Sequence, residues 1–219
     1  MGKELELLKP LLFDCQEKKT EHSSFYVGTI GVHNVVLMQC GIGKVNAAVG
    51  TLTLINQYHP DLVINSGVAG GANEDVDTMD VIVGERVAYH DVWCGPESPW
   101  GAVQGLPLYY EGDQELLRLL PADNRVKPGL ICSGDRFIDS LEEVNSIRAR
   151  FPEVLAVDME SGSISQVCHL RGVRFLSFRV ISDSPCSHSD NSAQYENFWE
   201  AAPRRTFDLL KQLLIKLPK

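Results

Sequence analysis

Apolar residues fall into two rhythms along the chain, short runs with strand character and longer stretches of helical period. ELELLKPLL predicts a short helix beginning near Lys3, with Pro10 disturbing any longer one. SSFYVGTIG and VHNVVLMQC predict two strands around a turn at Gly31. GIGKVNAAVGTLTLINQYHP predicts a helix of roughly four turns, entered through glycines and stopped by Pro60. DLVINSGVAGG reads as an apolar strand followed by a glycine-rich turn, and MDVIVGERVAYHD as a strand bent at Gly84. Residues 91 to about 110 lack a period and predict a long loop, a feature that often carries function. A short helix over Asp113–Leu120 and a strand VKPGLICSG follow. Leu141–Phe151 and Met159–Arg171 are helical, with LAVD as a strand between them. VRFLSFRVISD is the clearest strand. A final helix is expected after the polar stretch 187–192, running to about Leu217. Its core-facing stripe is Phe198, Ala202, Phe207, Leu210, Leu213 and Leu214.

Alternation of strands and helices predicts an α/β fold, a twisted mixed central sheet flanked by helices in a single domain over 1–219. Ligands in such folds bind beyond the carboxyl ends of strands. That directs attention to the turn after Cys40, the turn after Asn65, the loop after Ile131, and Asp183.

Composition narrows the classes without choosing one. The 219 residues, 44% of them hydrophobic, suffice for a substantial core. A formal charge of -9 argues against nucleic acid and acidic membranes as partners, since both require a basic surface. Six cysteines without CxxC spacing, and no signal-peptide or spanning run, predict a reduced cytoplasmic protein.

Several motifs each admit two readings. GIGK at 41–44 is either a structural turn or a turn lining a ligand; it is neither a Walker motif nor GxGxxG. NSGVAGG shares that ambiguity. In DME, Glu160 is either a helix N-terminal carboxylate or an acceptor for two ribose hydroxyls. Asp183 is a strand-terminal turn former or, if burial raises its pKa, a proton donor. Arg179, four residues earlier on the same strand, is expected on the same side. His22, His33, His59, His90, His169 and His188 form no metal motif, so a bound catalytic metal is not expected.

Taken in order, CGIGKVNAA, NSGVAGG, YHD, SGDRFI, VDMES and FRVISD resemble the purine and uridine phosphorylase superfamily, and most closely the 5′-methylthioadenosine/S-adenosylhomocysteine nucleosidases. The resemblance spans nearly the whole chain. It implies cleavage of an N-glycosidic bond with release of adenine from a small purine nucleoside, in a homodimer, a reaction that needs no metal or organic cofactor. Asp183 then matches the acid at adenine N7, Glu4 the carboxylate that activates or positions water, and Arg179 the basic residue on the water and ribose side. Phe137 matches the aromatic residue that stacks on the base, with Ile138 offering backbone hydrogen bonds. Met159 and Glu160 match the ribose contacts. Ile42, Ala69 and Gly70 would line the pocket, and Tyr195 and Phe198 would cover the alkylthio side. Val92 and Pro107 would reach into the partner subunit's pocket.

Three residues depart from the pattern: Val68 where serine is expected, Asp158 where glutamate is usual, and Arg136 where a small residue is common. Arg136 would allow another purine nucleoside with an anionic group. A phosphorylase, a futalosine-type or AMP-type hydrolase, and a catalytically weak nucleoside-binding protein are the alternatives. Against phosphorolysis, NSGVAGG lacks an arginine for phosphate. The family's apolar first strand has no counterpart before Glu4, so either the sheet lacks it or another segment replaces it, and missing strand pairing would leave Glu4 mobile.

Overall fold

A computed structural model of the chain describes residues 2–20, 24–185, 191–201 and 204–217. Of the features read from sequence, His22, Cys186, His188, Ala202 and the stretch 186–190 lie outside the described residues, as does the side chain of Phe207.

The opening apolar segment forms helix α1 (Gly2–Leu8), and the proline moves into a 3-10 turn over Lys9–Leu11. Next comes a strand with no sequence signal, β1 (Phe13–Lys19), exposed along its length. It exists because it pairs antiparallel with β2 (Ser24–Ile30), its register shifting between Phe13 and Gln16. A charged outer strand of this kind resists pairing with foreign edges. β2 then pairs with β3 (His33–Met38) through a two-residue turn, where Gly31 supplies a φ of +59°.

Helix α2 (Lys44–Tyr58) starts after Gly43, whose φ is +85°, and ends at a left-handed His59. Ala47, Thr51 and Ile55 mark its buried face, whereas Val45, Val49 and Leu52 are exposed. β4 (Leu62–Gly71) runs straight through the glycines in which sequence suggested a turn. It is held there by parallel pairing with β9 (Arg174–Asp183), from Leu62↔Arg174 to Gly70↔Asp183. β5 (Val81–Tyr89) keeps its predicted irregularity, the register shifting between Gly84 and Arg86.

The loop at 90–109 leads to β6 (Tyr110–Glu111) and to α3 (Gln114–Arg118), capped by the Asp113 side chain. After these come β7 (Val126–Ser133), α4 (Leu141–Arg148), β8 (Val154–Asp158) and α5 (Ser161–Arg171). The predicted final helix is two helices, α6 (Asn191–Ala201) and α7 (Arg204–Lys216). Pro203 lies between them in the sequence, and a helix interior does not accept proline. Phe198, Leu210 and Leu213 are buried as the stripe predicts.

β1, β2 and β3 form one sheet; the other runs β6-β5-β7-β8-β4-β9. β5 also pairs antiparallel with β9, from Val81↔Val180 to Val83↔Phe178, which closes five strands into a ring. Parallel pairs (β4 with β9, β5 with β7, β7 with β8) and antiparallel pairs coexist, as expected of a mixed sheet. Ile82, Ile131 and Ile181 are fully buried in one apolar cluster against this sheet, and Val81, Val83 and Leu176 in another. On the side away from β9, β4 meets a strand only at Gly70 and Gly71, among the described residues. The usual first strand of the resemblance is thus absent from the described sheet. Glu4 is nevertheless firmly placed, 8% exposed, with Oε1 accepting the Val68 N–H at 3.1 Å. Helix α1 supplies the anchorage that the expectation of a loose Glu4 had assigned to a strand.

No described helix is long and apolar enough to cross a membrane. The five described cysteines are free thiols: Cys132 and Cys168 buried, Cys40 partly buried, Cys15 and Cys94 exposed.

Candidate active site

β8 and the turn after it, β9 and helix α1 bring four charged residues together: Asp158, Glu160, Arg179 and Glu4. Arg179, on β9, has a side chain only 3% exposed, and its Nη2 lies 2.8 Å from Asp158 Oδ2 and 3.3 Å from Glu160 Oε2. Burial works against the guanidinium charge, but Asp158, Glu160 and Glu4 outweigh it and hold the pKa above its ordinary value. Gly67 explains how Arg179 and Glu4 share the space: a Cβ there would sit on Arg179 Nη1 and within 2.8 Å of Glu4 Oε1. NSGVAGG is therefore a strand whose missing side chain makes room for an ion cluster.

The two readings of DME divide between its two carboxylates. Asp158 takes the structural role, accepting from the Ser161 N–H at 3.1 Å, the Glu160 N–H at 3.3 Å and the Ser161 hydroxyl. That leaves Glu160 at the N-cap of α5, with Oε1 accepting from the Gly43 N–H at 3.1 Å and Oε2 facing Arg179. Burial pushes the Glu160 carboxyl above the usual range; Arg179 opposes that rise and Asp158 adds to it. Asp158 thus turns from a departure in the pattern into the principal partner of Arg179. Ser161, Ser177 and Asn65 complete this buried set. Asn65 Nδ2 donates to Ser161 Oγ at 3.0 Å, and Ser177 Oγ lies 2.7 Å from it. Ser161 starts α5, whereas Asn65 and Ser177 lie inside β4 and β9, and sequence singled out neither serine.

Asp183 ends β9, 1% exposed, with the Ser182 hydroxyl donating to its Oδ1. The register slips at this point, from Ala69↔Ile181 to Gly70↔Asp183. A spacing of four therefore does not by itself place Arg179 and Asp183 on one face. The Asp183 carboxylate faces Gly70, where a Cβ would lie 3.4 Å from Oδ2. Ala69 is buried beside it, and its carbonyl accepts from Ser182 Oγ at 3.3 Å.

Phe137 is 45% exposed, and its ring meets Tyr195 edge-on with centroids 5.8 Å apart. Ile138 and Phe198 are buried, Met159 and Tyr195 half-buried, and Ile42 exposed. Val92 is half-buried and Pro107 exposed, both in the loop at 90–109. Pro107 lines a separate cavity of about 660 Å³ with Tyr110, His169 and Arg174. Arg136 turns away to pair with Glu143, Nε to Oε1 at 2.6 Å, on the first turn of α4. Its partner is thus within the chain. Among the described residues, no group of three or more His, Cys, Asp or Glu side chains could hold a metal ion.

Comparison with known proteins places the chain in a family. Residues 1–215 match the Phosphorylase superfamily. A 5′-methylthioadenosine/S-adenosylhomocysteine nucleosidase of Actinobacillus succinogenes is 36% identical over 226 residues, covering 99% of this chain and 96% of that protein. Its counterpart from Chromohalobacter salexigens is 38% identical, covering 99% and 94%. The chain belongs to the methylthioadenosine/S-adenosylhomocysteine nucleosidase family. Solved members superpose closely on it. The Streptococcus pneumoniae nucleosidase, with the transition-state inhibitor MT-ImmA, has a TM-score of 0.93 at 32% identity, covering all of this chain and 96% of that one. The Streptococcus pyogenes nucleosidase, in complex with 5-methylthiotubericidin, has a TM-score of 0.93 at 31% identity and coverage of 100% and 94%. Within the chain, Glu4 lies beside the Arg179 guanidinium, and Asp183 receives the Ser182 hydroxyl.

Proposed function

We propose that the chain hydrolyses the N-glycosidic bond of 5′-methylthioadenosine, S-adenosylhomocysteine or both, releasing adenine. The observation that carries this reading is the division between Asp183, buried at the end of β9, and the Glu4–Arg179–Glu160 cluster. Breaking the bond leaves positive charge on the ribosyl ring and negative charge on the leaving adenine. Asp183 protonates adenine N7, and Glu4 positions the attacking water while facing the ring cation. Glu160 accepts from the ribose hydroxyls with Met159 beside it, and Arg179 orients both Glu160 and Glu4. Phe137 stacks on the base, Ile138 offers it backbone groups, and Ile42, Ala69 and Gly70 line the pocket. Tyr195 and Phe198 cover the 5′ substituent. The described site holds one buried cation, Arg179, already committed to two carboxylates, and this favours water over phosphate as nucleophile. Adenine release from methylthioadenosine is therefore expected at the same rate with and without phosphate. Strict dependence on phosphate, read by adenine absorbance or chromatography, would overturn hydrolysis.

The nucleosidase assembles as a homodimer of single-domain protomers in this reading. Val45, Val49 and Leu52 on one face of α2 are exposed, as are Ile42 just before it and Trp93, two residues from the Asp91 that pairs with Lys44, and monomers rarely leave such rows in water. The loop carrying Val92 and Pro107 then borders the partner's pocket. Free thiols suit a reducing cytoplasm. Sedimentation at a single-chain mass across working concentrations would refute the dimer.

A further inference from the structure

Three backbone segments far apart in sequence are tied into a closed ring beside the site. The Lys44 backbone N–H donates to Asp135 Oδ1 at 2.7 Å. The Asp135 backbone N–H donates to Asp91 Oδ2 at 2.9 Å. Lys44 Nζ completes the circuit, donating to Asp91 Oδ1 at 2.8 Å. Gly43 makes room for it: at a φ of +85°, a Cβ there would lie 2.9 Å from Asp135 Oδ1. Beneath the ring, Lys44 Nζ sits 5.2 Å from the centroid of Tyr89, whose hydroxyl donates to Gln166 on α5.

The residues flanking this ring belong to the site. Gly43, next to Lys44, gives its N–H to Glu160, and Phe137 follows Asp135 by two positions. A displacement of either loop would therefore move the ribose acceptor and the base platform relative to each other. Lys44 and Asp91 are about a quarter exposed (24% and 29%), and an isolated pair so placed contributes little to stability. Its value is geometric, because fixing two binding loops before the ligand arrives removes an ordering cost from binding.

We propose that Asp91 and Lys44 are positioning residues for nucleoside recognition, bracing the Gly43 turn against the loop that carries Phe137. This rests on the roles given above to Phe137 and Glu160. Asp183 lies on β9, outside the ring, so proton donation survives loss of the brace and the deficit falls on binding.

The test compares the wild type with Asp91→Ala, Lys44→Met and the conservative Lys44→Arg, all in the full chain. For Asp91→Ala and Lys44→Met, KM for methylthioadenosine should rise about tenfold while kcat stays within about threefold. Lys44→Arg should recover most of the loss. The Tm should stay within about 3 °C of wild type, since a structural lesion of 1 kcal/mol already moves a chain this size by that much. A KM within twofold of wild type in both variants overturns the proposal. So does a tenfold fall in kcat at unchanged KM, or a loss explained by fewer folded molecules. Calorimetric binding of adenine separates this inference from the hydrolysis reading. If the wild type binds adenine without hydrolysing the nucleoside, and Asp91→Ala weakens that binding about tenfold, the brace stands and hydrolysis falls. A wild type that neither releases nor binds adenine overturns both.

Discussion

Asp183→Asn is expected to lower kcat for adenine release by about 10²–10⁴-fold, the usual contribution of a positioned general acid. The unfolding midpoint should remain near that of wild type. The substitution nearly preserves shape, and the amide oxygen can still accept from Ser182 Oγ, so the local hydrogen bond survives while the transferable proton does not. Gly70 leaves the surrounding space unchanged for a group of equal size. Adenine must then depart without protonation at N7, and the leaving group carries the full developing charge. Substrate affinity should change far less than turnover, because the lost interaction matters chiefly as the bond breaks. A kcat within tenfold of wild type would remove Asp183 from the acid role. A large fall in the unfolding midpoint would assign it to the fold instead.

The parts legible in sequence were those with local causes. The strands VIVGERVAY and RFLSFRVISD are nearly continuous apolar runs, and they form where the pattern puts them because both faces of the sheet are covered. β1 was not legible, since FDCQEKK buries nothing and is a strand only by pairing with β2. Glycines 67, 70 and 71 misled in the other direction. They look like a turn, yet the strand continues through them, and the small size of Gly67 and Gly70 lets Glu4, Arg179 and Asp183 approach it. Asp158, Glu160 and Asp183 announced themselves by lying at or just beyond strand ends, whereas Glu4, in α1, was marked only by the family resemblance. The division of labour between Asp158 and Glu160 did not announce itself, because it depends on Arg179 arriving from another strand. The slip at Ser182 is likewise set by pairing between β4 and β9, which no count of residues along β9 reveals.

One cation therefore organises much of what the sequence left open, and its removal should be the costliest single change. Arg179→Met is expected to destabilise the protein by about 3–5 kcal/mol at neutral pH, the usual result of stripping one partner from a buried ion cluster. Methionine fills most of the volume, so the loss is electrostatic in origin. Asp158 and Glu160, with side chains 1% and 15% exposed, are left sharing buried negative charge. Ser161, Gly43 and the α5 amides donate to them but bring no full positive charge. The pH dependence follows from the direction of the Glu160 shift. Its folded-state pKa is already above the ordinary value of 4.5, chiefly through burial, and loss of Arg179 raises it further. A carboxyl with a raised folded pKa binds more protons folded than unfolded, so stability increases as pH falls toward 4.5. The deficit of Arg179→Met should accordingly be largest near pH 8 and shrink toward pH 5, as a proton takes the place of the guanidinium. Urea unfolding of both proteins at pH 5 and pH 8 measures this directly. A deficit that stays constant or grows on acidification would mean that Arg179 acts through packing, and that the charge it shares with Glu160 is incidental to the fold.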